Sequence, residues 1–153
     1  MAVVRVRGTL KVKPDIKETL KLLRLNRVNH CVVLPETPEF IGMIRKAKDY
    51  VTWGEIESET MELLLRERSE YGGGNRLSDP VVKKNSEFKD IKSLALAVSE
   101  GTFDHRKLEG LNQVFRLSPP RKGGYEGIKR SYNVGGALGY RGKDINKLLQ
   151  RMI

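Results

Sequence analysis

Residues 31–41, Cys31-Val32-Val33-Leu34-Pro35-Glu36-Thr37-Pro38-Glu39-Phe40-Ile41, pass from one kind of order to another within a few positions. The apolar run Cys31–Leu34 has the length and β-branching of a buried strand, and Pro35 ends it because proline lacks the amide that a ladder needs. Thr37 then offers a side-chain oxygen to cap a helix whose first position is Pro38, where no amide donor is required. Phe40, Ile41, Ile44 and Ala47 fall on one side of that helix and mark its core face, with an end near Lys48. Downstream, Tyr50-Val51-Thr52-Trp53 predicts a strand closed by Gly54. Upstream, Val4 and Val6 alternate with Arg5 and Arg7, the period of a half-buried strand. Between that strand and Cys31, Pro14 suits the first turn of a helix, Asp15 and Glu18 favour its positive end, and Ile16, Leu20 and Leu23 give an apolar face up to about Leu25.

The first third is therefore expected to run strand, helix, strand, helix, strand. The economical arrangement is an α+β fold, a small, mostly antiparallel sheet with helices on one face, ferredoxin-like in part. Beyond it, Ser58–Arg68 predicts a third helix with Met61, Leu64 and Leu65 inward, broken by Tyr71-Gly72-Gly73-Gly74-Asn75 as a mobile turn. Asp90 caps a fourth helix carrying Ile91, Leu94, Ala95 and Val98, stopped by Gly101. Val114–Leu117 suits a returning strand, Ser118 to Gly142 an extended basic loop with strand period only over Ile128–Val134, and Ile145, Leu148, Leu149 and Met152 a closing helix. Residues 1–56 are expected as a core domain, and 57–153 as an extension of helices and a basic Gly/Pro-rich loop.

A net charge of +10 over 153 residues, from 29 Lys and Arg against 19 Asp and Glu, calls for a polyanionic partner. Its distribution is uneven: +5 over residues 1–55, −2 over 56–110 and +7 over 111–153. The two ends of the chain are therefore expected to meet the partner. No run approaches the ~18 apolar residues of a spanning helix. The first ten residues lack an apolar core of signal-peptide length, so a cytoplasmic protein is expected. The C-terminal charge lies in glycine-rich sequence and not on an amphipathic helix, which disfavours a membrane surface. The single cysteine, Cys31, suits a buried small hydrophobe.

The richest segment is Phe115-Arg116-Leu117-Ser118-Pro119-Pro120-Arg121-Lys122-Gly123-Gly124-Tyr125. Its prolines stiffen it, its glycines permit close backbone approach, and Arg116, Arg121 and Lys122 supply charge for phosphates. Lys129, Arg130, Arg141 and Lys143 continue the positive character, with Tyr125, Tyr132 and Tyr140 available to stack on bases. The plainer reading is a solvated basic loop. With only Glu126 and Asp144 acidic from 118 to 153, RNA contact is preferred. A second cluster, Arg24, Arg27 and Asn29-His30, stands near Arg45, Lys46 and Lys48; the two either join as one patch or merely complement helix dipoles. Trp53 either faces RNA or, the commoner case for a lone strand tryptophan, belongs to the core.

Enzyme chemistry finds little support. His30 and His105 are the only histidines, and His105 stands in an ordinary polar stretch without a partner. Gly123–Ser131 resembles a phosphate loop but lacks the lysine placement and the bracketing strand and helix. The GxxG spacings at Gly124–Gly127 and Gly136–Gly139 do not join helices, and no metal-ligand spacing occurs. No catalytic residue, cofactor, metal or small-molecule substrate is expected.

The run Leu22-Leu23-Arg24-Leu25-Asn26-Arg27-Val28-Asn29-His30-Cys31-Val32, followed by Thr37-Pro38-Glu39-Phe40-Ile41-Gly42-Met43-Ile44 and Tyr50-Val51, resembles the core signature of the L-thirty family of large-subunit ribosomal proteins. The Phe115–Gly124 segment and Asp144–Met152 are similar to the long archaeal form, called L-seven in eukaryotes, without the lysine-rich N-terminal arm of the eukaryotic members. The resemblance implies a structural constituent of the large ribosomal subunit that binds large-subunit ribosomal RNA, beside neighbouring ribosomal proteins, without catalysis and without homo-oligomers. Carried over by position, the expected RNA contacts are Arg24, Arg27, Asn29, Arg45, Lys46, Lys48, Arg116, Ser118, Pro119, Pro120, Arg121, Lys122, Gly123 and Gly124. Tyr125, Lys129, Arg130, Arg141 and Lys143 extend the set. The loop is expected to order on binding, so that assembly contributes to its folding. The alternatives are an RNA-processing or RNA-modifying enzyme, or a regulatory RNA-binding protein outside the ribosome.

Overall fold

The computed structural model describes all 153 residues. Strands β1 (Ala2–Arg5), β2 (His30–Val33) and β3 (Val51–Gly54) alternate with helices α1 (Pro14–Leu22) and α2 (Pro38–Lys46). Thr37 caps α2 as expected, its hydroxyl accepting from the Phe40 amide at 3.5 Å, with Pro38 in the first turn. The central strand β1 pairs antiparallel with β2, Val3 opposite Val32, and with β3, Val3 opposite Trp53.

Helices α3 (Ser58–Arg68), α4 (Asp79–Asn85), α5 (Ile91–Ser99) and α6 (Ile145–Met152) follow, with strands β4 (Phe115–Arg116), β5 (Gly127–Ser131) and β6 (Gly136–Tyr140). Asp90 caps α5, accepting from the Ser93 amide at 2.7 Å. The later strands extend the sheet at both edges, in the order β4-β2-β1-β3-β6-β5. The β4 strand pairs antiparallel with β2, whereas β3–β6 and β5–β6 are parallel. The sheet is therefore mixed, not mostly antiparallel, because the segment expected as a loop supplies two strands. While β5 overlaps the Ile128–Val134 stretch with a strand period, glycine hides β6 from a hydrophobic-period reading. At Gly136 it is required: a Cβ there would lie 2.1 Å from the Arg130 carbonyl oxygen.

Helices cover both faces of the sheet, not one. Val3, Val32 and Val51 pack with Leu20, Leu23 and Ile44 under α1 and α2. Ala2, Val4, Cys31 and Val33 pack with Leu64, Leu94, Phe115 and Leu149 under α3, α5 and α6. A strand buried on both sides alternates between two apolar environments, so the valine/arginine alternation does not mark a wet face. Arg5 is accordingly 2% exposed and not on the solvent side. Residues 57–153 build one whole side of the core and both sheet edges.

The short α4 carries start signals in Ser78, Asp79 and Pro80 but is too brief to show a period. The Tyr71–Asn75 turn is tied at its base by Tyr71 N–H to Asn75 O (2.6 Å) and Asn75 N–H to Tyr71 O (3.1 Å), and Gly72 N–H reaches Gly110 O (3.1 Å). No helix is long and apolar enough to cross a membrane.

Candidate nucleic-acid interface

The turn from α1 into β2 presents Arg24 and Arg27, both exposed, on a backbone with left-handed residues at Arg24 (φ 61°) and Asn29 (φ 67°). Arg5 supports it from beneath. Its guanidinium donates to Leu25 O at 2.6 Å and Arg7 O at 2.9 Å, and burial lowers its pKa. Asn29 N–H donates to Arg5 O at 2.9 Å, so strand and turn hold one another. His30 lies opposite Arg116 across β2 and β4. Burial first, then the nearby Arg116 charge, holds this imidazole below its ordinary 6.5.

The 116–125 loop meets this turn. Tyr125 donates its hydroxyl to Asn29 Oδ1 at 2.8 Å, and Leu117 N–H donates to Asn29 O at 3.2 Å. Two arginines that no local sequence pattern marks hold the loop to the body. Arg151 on α6 donates to the carbonyls of Arg121 (2.8 Å), Lys122 (3.2 Å) and Gly124 (2.8 Å). Arg68 on α3 donates to Ser118 Oγ (2.7 Å) and to Ile153 O (2.8 Å). The Ser118 and Arg121 amides donate back to Met152 O and Arg151 O, both at 3.0 Å. The loop is thus held by hydrogen bonds to α3 and α6, with Pro120 buried and the Arg121, Lys122 and Gly123 side outward. Lys122 (φ 56°), Gly123 (φ 106°) and Gly124 (φ 66°) bend it in the left-handed region. Arg116 remains largely exposed, with a 3.5 Å ion pair to Glu70.

The remaining expected contacts separate. Arg45, Lys46 and Lys48 do not join Arg24 and Arg27 in one patch. Lys46 lies 3.8 Å from Asp15, so the end of α2 meets the beginning of α1, and the nine residues of α1 stand between the clusters. At 1.5 Å per residue that is roughly 13 Å. Lys129 and Arg130 lie on the fully exposed edge strand β5, and Lys143 is exposed just before α6. Arg141 is committed to the fold: it donates to Thr52 Oγ1 and Ala137 O, both at 2.8 Å, and stacks on Tyr132 at 4.7 Å.

The aromatic residues also part company. Tyr125 packs partly against the core and its hydroxyl is engaged with Asn29, with burial raising its pKa. Tyr132 donates to Asp144 and carries Arg141 on its ring. Tyr140 is 51% exposed. Trp53 is half-buried and meets Tyr140 at 6.3 Å between ring centres, so it belongs to both a core edge and a surface. His105 is buried and stacked on Phe115.

A model of the family described as ribosomal protein L30p/L7e matches residues 1–51. Over nearly its whole length the chain is similar to large ribosomal subunit protein uL30 of Methanoculleus marisnigri, at 48% identity over 151 residues, 99% of this chain and 98% of that one. The protein of the same name from Methanosphaera stadtmanae is 46% identical over 154 residues, covering 99% of each chain. That of Thermoplasma acidophilum is 46% identical over 153 residues, covering 100% of this chain and 92% of its own.

Proposed function

As this chain belongs to the L30p/L7e family of ribosomal proteins, in its long archaeal form, we propose that it is a structural constituent of the large ribosomal subunit whose surface around Arg24, Arg27, Asn29 and the Arg116–Gly124 loop binds large-subunit ribosomal RNA. The observation that carries the placement is the convergence of two basic segments almost a hundred residues apart, joined through Tyr125 and Asn29. Arg27, Arg116, Arg121 and Lys122 neutralise phosphates, while Arg5, Arg68 and Arg151 fix the backbone that presents them. Because these supports are internal, binding orders side chains more than backbone, and less conformational entropy opposes it.

Lys129 and Arg130, and separately Arg45 and Lys48, form further points of contact, as suits a protein placed between RNA segments. The protein acts by holding RNA and performs no catalysis. The β1–β3 unit is ferredoxin-like in part, and residues 57–153 are the portion that distinguishes the long form.

Sedimentation of a tagged copy from cell extract on a sucrose gradient tests the reading, with large-subunit RNA followed alongside. The protein is expected to peak with the large subunit and to remain through a high-salt wash. A protein that stays in the soluble fractions would overturn the assignment and favour an extra-ribosomal RNA-binding role.

A further inference from the structure

Not all of the surface is basic. A groove of about 610 Å³ runs between the segment after β2 and the segment after α5, lined by Glu36, Thr37, Glu100, Asp104 and His105. It adjoins an aromatic cleft of about 340 Å³ bearing Trp53, Tyr140, Glu55 and Arg45; Met1 and Glu36 line both. Glu36 and Glu100 are exposed, and neither makes an ion pair. Glu55 accepts the Tyr140 hydroxyl, which sets the tyrosine ring beside Trp53 at an interplanar angle of 48°.

The buried His105 supplies an independent sign of a missing donor. Its Nε2 is buried without a hydrogen-bond partner, while Nδ1 lies 4.0 Å from Asp104 Oδ1. A neutral imidazole holds one proton, and the carboxylate favours it on Nδ1, so Nε2 is left as an unused acceptor. Carboxylates, aromatic faces and a bare imidazole nitrogen together ask for a cation rich in N–H groups. Arg45, Lys107 and the Met1 ammonium are the cations on these walls, and Asp104 is paired with Arg106, so Glu36 and Glu100 are the carboxylates left to meet an added cation. Phosphates would meet Glu36 and Glu100 there, so RNA is the poorer occupant.

We propose that this groove docks an extended, arginine-bearing basic segment of a neighbouring protein, one guanidinium stacking on Trp53 and Tyr140 beside Glu55 and Glu36, with further donors running along Glu100 toward His105. That the neighbour is a protein of the same subunit rests on the function proposed above. Arginine fits better than lysine because its planar group stacks on the rings while its edge donates to carboxylates. The overall charge of +10 repels a basic peptide, so binding has to come from this local surface and not from bulk attraction.

Trp53 is the only tryptophan, and it stands in the cleft as a reporter. The full-length chain is titrated with a synthetic peptide of alternating glycine and arginine while Trp53 emission is followed. A saturable change is expected, weaker with the lysine peptide, and weakened roughly tenfold in a Glu36→Gln, Glu100→Gln double variant, since two local ion pairs are lost. Both glutamates are exposed, so the variant should fold; its RNA affinity, measured by filter binding, should be unchanged or slightly higher. No emission change with the arginine peptide, equal binding by the double variant, or saturable quenching by an RNA oligonucleotide in place of the peptide would each overturn the assignment. Failure of the unmodified chain to bind RNA would instead sink the preceding reading and leave this titration standing.

Discussion

The Tyr125 hydroxyl donates to Asn29 Oδ1 at 2.8 Å, joining residues separated by 96 positions. Asn29 has φ 67°, a left-handed conformation that asparagine tolerates better than most residues. Its backbone serves β1 through Arg5 O and the loop through Leu117 N–H, and its side chain takes the tyrosine. One residue thus aligns both basic segments.

Tyr125→Phe keeps the ring in place and deletes this bond. The loss in stability is expected to be about 1 kcal/mol, near the net worth of one hydrogen bond. RNA affinity should fall about threefold as the two segments lose their common anchor. Urea unfolding and filter binding check the two parts. Unchanged affinity would show that the Asn29 turn needs no tyrosine to hold its shape.

Arg151→Ala and the pair Arg121→Ala, Lys122→Ala separate support from contact. The pair removes cations that face outward, so the slope of log affinity against log salt should shrink by about one to two counterions, with the loop backbone unchanged. Arg151→Ala removes the donor to three loop carbonyls and should raise amide hydrogen exchange through residues 121–124. If Arg151→Ala alters the salt slope but not the exchange, it contacts RNA itself.

Two glycines, Gly54 at the end of β3 and Gly42 inside α2, should respond in opposite directions to alanine. A Cβ at Gly54 would stand 1.9 Å from the Gly142 carbonyl oxygen and 3.1 Å from Ile145 Cβ. Backbone at the β3 to α6 junction would have to move, at a cost of about 3 kcal/mol or more. At Gly42, inside α2, a Cβ meets nothing within 4 Å, and alanine should stabilise by about 0.5 to 1 kcal/mol through helix propensity. Thermal unfolding of both variants gives the comparison. A tolerated Gly54→Ala would mean that the junction yields easily.

Local chemistry made the elements from β1 through α3 legible. The Thr37 cap with Pro38 and the Asp90 cap act within one turn and are visible as neighbouring residues. What a period cannot show is which partner covers a strand. The valine/arginine alternation in β1 suggested one wet face, but residues 57–153 return to cover the second face, and Arg5 is buried against a helix end. Strand β6 was hidden because glycine contributes no hydrophobic signal, whereas β5 overlaps the Ile128–Val134 stretch that shows a strand period. The basic segments of the candidate site were visible in composition. Their supports Arg68 and Arg151 were not, since each acts on carbonyls or a hydroxyl 27 to 85 positions away. Composition also does not show that the charge of Arg141 and the hydroxyl of Tyr125 are engaged internally, on Thr52, Ala137 and Asn29.

His105 gives the fold a pH dependence. Burial, outweighing the attraction of Asp104 and reinforced by Arg106, lowers its pKa from 6.5 to about 4. The folded state therefore binds this proton less readily than the unfolded chain. The contribution is intact above pH 6.5 and is lost as the pH falls toward 4, where the unfolded state gains from protonation and the folded state does not. Across that window the loss is about 3 kcal/mol at one pKa unit per 1.4 kcal/mol. His105→Phe preserves a ring against Phe115 and removes the titration, so urea midpoints measured at pH 7 and pH 4.5 should differ less than in the unmodified protein. An equal difference in both would place the acid sensitivity on the carboxylates, with Asp104 and its Arg106 pairing the first to examine.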